Sequence, residues 1–150
     1  MAINMARVLA AAAVACWLAS WFLPVIADYP GWAAFRAALA GPFNQAYPGR
    51  GQESIPQVLS ALTNVVFVVL MYTWIRRRVT RPAMFLKGAI ACLLLNLYWP
   101  VQMWRANERD GLGVGYYAWL AAFVLLLGLA IVIAVSDRRT SKIPTDDTPA

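Results

Sequence analysis

Apolar and polar positions along this chain do not alternate; the apolar ones gather into four runs, at about 5 to 27, 56 to 75, 83 to 104 and 115 to 135. Each run is about 20 residues or longer, the length at which an α-helix crosses the roughly 30 Å hydrocarbon core of a bilayer. The pattern therefore predicts an all-α integral membrane four-helix bundle. The connections are too short to build a core of their own, so residues 1–136 are expected to form a single transmembrane domain. Beyond Asp137-Arg138-Arg139 the chain loses apolar periodicity, and residues 137–150 read as a disordered tail.

Polar residues inside the runs are few, and their spacing matters. Gln57, Ser60 and Asn64 fall at i, i+3 and i+7, so they share one helical face that would be costly to turn toward lipid. Span three carries a matching stripe of Gly88, Cys92 and Asn96 at intervals of four. Counted from the nearer ends of their spans, Asn64 and Asn96 lie at the same depth, which predicts a hydrogen bond between them. These polar residues serve either as interhelical packing contacts or as contacts for a polar ligand. Pro100, four residues after Asn96, lacks the N–H that would otherwise bond the Asn96 carbonyl and should bend the outer end of the helix.

The remaining spans are read from their small and aromatic residues. In span one Ala12, Cys16 and Ala19 share a face suited to close helix packing, with Trp17 and Trp21 at the outer interface. Between spans one and two, Gly31 to Ala40 places Trp32, Phe35 and Leu39 on one side of a short helix expected to lie flat on the outer surface and cap the bundle. Span four opens with Tyr116-Tyr117-Ala118-Trp119 and continues as a nearly featureless aliphatic run, the pattern of a lipid-facing or scaffold helix. Gly111-Leu112-Gly113-Val114-Gly115 just before it follows no strand, so it reads as a flexible connection and not as a phosphate loop.

Charge then orients the spans. Only 13% of residues are charged, against about 25% in soluble domains. Yet the net charge is +6, a value that would suit nucleic acid were it not for its placement. Arg7, Arg76, Arg77, Arg78, Arg81, Lys87, Arg138, Arg139 and Lys142 fall on one side of four alternating spans, whereas Arg36, Arg50, Arg105 and Arg109 on the other are balanced by Asp28, Glu53, Glu108 and Asp110. The positive-inside rule puts both termini in the cytoplasm, and no nucleic-acid partner is expected. Met1 to Ser20 has the look of a signal peptide, and Ala13-Val14-Ala15-Cys16 resembles a weak lipoprotein box. The apolar run nevertheless continues through Ile26, so an uncleaved first span is expected.

Candidate chemistry is sparse. The chain has no histidine and only two cysteines, Cys16 and Cys92, placed at different depths. Without histidine the chain lacks the usual haem, chlorophyll and zinc ligands, and unpaired cysteines argue against disulfide exchange. No carboxylate lies within a span, which argues against proton-coupled export. Neither cofactor, metal nor catalytic residue is assigned, and the chain is expected not to be an enzyme.

Gly31-Trp32, Leu62-Thr63-Asn64 and Gly113-Val114-Gly115-Tyr116-Tyr117-Ala118-Trp119 resemble a loose group of small four-span bacterial inner-membrane proteins of no assigned function. The resemblance implies a multi-pass protein of the bacterial inner (cytoplasmic) membrane and supplies no catalytic residues. Membrane lipids, with a larger membrane complex or further copies of the chain, are the expected partners. The first functional expectation is an accessory or structural subunit, with Trp32, Trp99, Arg105 and Glu108 as outer contacts. The alternative is a protein that binds or transports a lipid or small amphiphile through Gln57, Ser60, Asn64 and Asn96.

Overall fold

The computed structural model describes residues 2–26, 28–40, 51–76, 79–105 and 111–140. In chain order it contains α1 (Ala2–Phe22), β1 (Pro24–Ile26), β2 (Tyr29–Pro30), α2 (Gly31–Ala40), α3 (Gly51–Ile75), α4 (Pro82–Arg105) and α5 (Val114–Thr140). The segments Ile3–Phe22, Ile55–Ile75, Pro82–Arg105 and Val114–Asp137 are each long and apolar enough to cross a membrane. The tail after residue 140 lies outside the described residues, while α5 itself continues through 137–140.

Helix α1 stops earlier than its apolar run. The Leu23 N–H makes the last helical bond, to Ala19, and Pro24 has no N–H with which to continue. The chain turns extended instead, and β1 pairs antiparallel with β2, Pro24 opposite Pro30 and Ile26 opposite Tyr29. Prolines suit a ladder this short, which has no central strand to interrupt. Ile26 also forms a bridge with Leu112, and the Gly113 N–H donates to the Val25 carbonyl at 2.8 Å. Apolar character alone does not distinguish a span's last helical turn from the extended segment that follows it.

Helix α5, expected as a lipid-facing or scaffold helix, is the centre of the core and not simply lipid-facing. Ala122, Phe123, Leu126, Leu129 and Ala130 are fully buried, and the helix packs against both α1 and α4. An aliphatic helix with no polar stripe looks the same in sequence whether lipid or protein surrounds it. From α1 the buried face is Ala6, Ala10, Ala13 and Ser20. It differs from the expected face of Ala12, Cys16 and Ala19, of which Ala19 is exposed. Small residues on α1 let the two backbones approach closely, the means by which helices associate where no hydrophobic force separates protein from solvent. Helix α4 contributes Phe85, Ala89, Cys92 and Asn96 at spacings of four, three and four, and packs between α5 and α3.

Three close approaches fix the end of the molecule that carries α2. A Cβ on Gly31 would collide with the Ser20 carbonyl, and one on Gly115 would lie 2.6 Å from the Leu23 oxygen. Gly113 sits equally close to the Pro24 carbonyl. The glycine-rich segment before α5 is thus a clamp against the end of α1, not a flexible connection. Gly113 and Gly115 are there because no side chain fits.

Candidate binding site

Three linked polar groups lie beneath the α2 end. Asn96 is completely buried. Its Oδ1 accepts from the Ser60 hydroxyl at 2.8 Å, and its Nδ2 donates to the Thr63 hydroxyl at 3.2 Å. Thr63 in turn donates to the Ser60 carbonyl at 2.5 Å, which closes the group between α3 and α4.

The backbone of Asn96 supplies the second group. Pro100 leaves the Asn96 carbonyl without its helical donor, and the buried phenol of Tyr116 on α5 donates to it instead. A proline on one helix has created an acceptor that a tyrosine on the next helix fills.

Asn64 forms the third group, and it does not bond Asn96. Its Oδ1 accepts the indole N–H of Trp17 at 2.8 Å and that of Trp119 at 3.0 Å, while its Nδ2 donates to the Ala61 carbonyl at 3.0 Å. Residues 63 and 64 are about 100° apart around a helix. With Thr63 turned to α4, Asn64 therefore faces α1 and α5, and Ser60, which lies between them in azimuth, still reaches Asn96. Depth placed the two asparagines near one another, but azimuth gave them different partners.

An aromatic chain braces these groups. Trp17 stacks on Phe67 at 5.4 Å, Phe67 meets Phe123 edge-on at 5.6 Å, and Trp119 meets both Phe123 and Tyr116 edge-on at 5.6 and 5.5 Å. Such pairs contribute about 0.5–1.5 kcal/mol each beyond their buried area. Trp17, expected at the outer interface, and Trp119 are thus directed inward by a partner on a third helix. Among the described residues no buried side-chain nitrogen or oxygen lacks a hydrogen-bond partner.

Above this floor lies a cavity of about 800 Å³, lined from every element of the fold. Its floor carries Ser60 and Asn64, and its walls include Trp21, Phe35, Trp99, Tyr116 and Trp119. One side is formed by the small-residue face of α2, Gly31, Ala34, Ala37 and Ala38. Of the three residues expected on one side of α2, Trp32 and Leu39 are exposed, Trp32 to 49%. Phe35 does pack inward, 5.2 Å from Trp21. Gln57 and Gln102 also line the cavity, from α3 and α4.

Of the candidate contacts, Gln57, Ser60, Asn64 and Trp99 meet around this cavity, while Asn96 lies beneath it. Arg105 is exposed at the end of α4 and Trp32 stands outside the cavity. Glu108 lies outside the described residues. Thr63, Trp17, Tyr116, Trp119 and Gln102 were not singled out by spacing. Tyr116 alone left a signal, since the carbonyl freed by Pro100 required a donor.

Chemically, the site is suited to holding a molecule. Its volume lies within the roughly 300–1,000 Å³ of small-molecule sites, and aromatic walls with a few amides are their common lining. Among the described residues no group of three His, Cys, Asp or Glu could hold a metal, and Cys16 and Cys92 are both free. These features define a helical protein with four membrane-length helices and, at one end, a cavity with aromatic walls and no charged lining side chain among the described residues. No protein family, curated protein or solved structure gives a significant match to this chain.

Proposed function

We propose that this chain is a multi-pass protein of the bacterial inner membrane, a four-helix bundle with both termini in the cytoplasm, that holds a lipid or small amphiphile in the outer half of the bilayer. Arg76, Arg81 and Lys87 lie at or near the α3–α4 turn, far from α2, and that bias supports the orientation. The observation that carries the binding reading is the cavity of about 800 Å³ with an aromatic wall and amide side chains. A purely structural four-helix protein would gain packing energy by filling such a space.

A second reading, an accessory subunit beside a larger membrane complex, draws support from α3. Leu59, Leu62, Val65, Val66 and Val69 on this helix are exposed, an apolar face that lipid or a partner protein would cover. Purification of tagged protein from its native membrane in mild detergent, with identification of co-purifying lipids and proteins, separates the two. One enriched amphiphile supports binding. A stoichiometric protein partner without an enriched amphiphile would replace it with the subunit reading.

A further inference from the structure

The cavity lining carries no charged side chain among the described residues. Besides Ser20, Tyr29, Tyr98 and Tyr116, its polar side chains on α3 and α4 are of two kinds. Ser60 and Asn64 are committed to the floor: the Ser60 hydroxyl donates to Asn96, and the Asn64 Oδ1 already accepts two indole N–H groups. Two acceptances use both lone pairs of an amide oxygen. Gln57 and Gln102 are different. Both are half-buried and line the cavity, and neither side chain hydrogen-bonds any other described residue.

A primary amide offers an N–H donor and a carbonyl acceptor together. Two of them, on neighbouring helices and above a floor that is already satisfied, match a head group bearing hydroxyls or carbonyls. A charged head would surrender its hydration here and meet no opposite charge among the described lining residues. Trp21, Phe35 and Trp99 offer the apolar surface for the rest of the molecule. We infer that the ligand is an uncharged amphiphile whose hydroxyl- or carbonyl-bearing head bonds Gln57 and Gln102 and whose apolar body lies against Trp21, Phe35 and Trp99. This rests on the amphiphile-binding reading above and specifies its ligand class.

Tryptophans in the cavity wall supply the readout. Protein in nanodiscs is titrated with a monoacylglycerol carrying a brominated chain, and in parallel with the lysophosphatidate that differs from it only by the phosphate. Saturable tryptophan quenching is expected from the monoacylglycerol, at a mole fraction about tenfold lower than the lysophosphatidate needs. The Gln57→Leu/Gln102→Leu variant should weaken the neutral probe by about tenfold and leave the anionic probe unchanged. Equal curves for the two probes on the unaltered protein would overturn the head-group assignment while leaving the cavity reading intact. An unchanged neutral-probe curve in a folded double variant would do the same. Quenching by both probes that rises without saturation would overturn the cavity reading itself, and the inference with it.

Discussion

The phenol of Tyr116 donates to the main-chain carbonyl of Asn96, the group that Pro100 leaves without a helical partner. This contact ties α5 to α4 at the level where the Asn96 side chain ties α4 to α3. One residue thus joins three helices, with its amide facing one neighbour and its backbone another.

Removal of the phenol hydroxyl should therefore be felt. Tyr116→Phe is expected to destabilise the protein by about 1–3 kcal/mol, the range for a buried acceptor left unpaired. The same change in a Pro100→Ala background should have a much smaller effect, because replacing the proline restores a backbone N–H for the Asn96 carbonyl. Thermal unfolding of the four proteins in one detergent measures the coupling, and equal losses in both backgrounds would refute the link.

Asn64 and Asn96 should differ in sensitivity. Asn64→Leu strands two indole N–H groups, of Trp17 and Trp119, and should lower stability by about 1–3 kcal/mol. Asn96→Leu strands mainly hydroxyls, which can bond carbonyls of their own helix, as Thr63 already does. The expected order is a larger loss for Asn64→Leu, with a change in tryptophan emission that Asn96→Leu does not produce.

The glycines divide in the same way. Gly115→Ala would set a methyl 2.6 Å from the Leu23 carbonyl, with no side chain to move aside, and should sharply lower folded yield. At Gly128 the nearest atoms are Leu9 side-chain carbons 3.7 Å away, an ordinary contact. Gly128→Ala should be neutral or stabilising by up to about 1 kcal/mol, since alanine is the better helix former. Parallel melting curves check the pair.

Orientation has its own test. In a Cys16→Ala/Cys92→Ala background, an impermeant thiol reagent added outside intact cells should label Asn44→Cys and spare Thr148→Cys. Labelling of Thr148→Cys from outside would invert the topology.

Much of this architecture can be read from the chain, and the limits have physical causes. Span lengths come from uninterrupted apolar runs, and the inward turn of Ser60 and Asn64 from the expense of polar groups in lipid. Pairing is harder to read. Asn64 and Asn96 share a depth, but α3 presents Thr63 to α4 and Asn64 to α1 and α5, a choice made by rotation that depth does not set. Trp17 and Trp119 carry the composition of an interface belt, yet their N–H groups are held by a third helix. The cavity is hidden more deeply. It is a space left between every element, and the alanines of α2 that preserve it read as ordinary helix formers.

Ala38 lies on the cavity face of α2, so enlarging it fills the space without touching the polar floor. The most direct test of ligand binding is native mass spectrometry of the protein released from its own membrane, compared with Ala38→Trp at matched thermal stability. A discrete small-molecule adduct is expected on the unaltered protein and should be lost from the variant. An adduct retained equally by both, or two bare proteins each bound to a stoichiometric partner chain, would contradict ligand binding in the cavity.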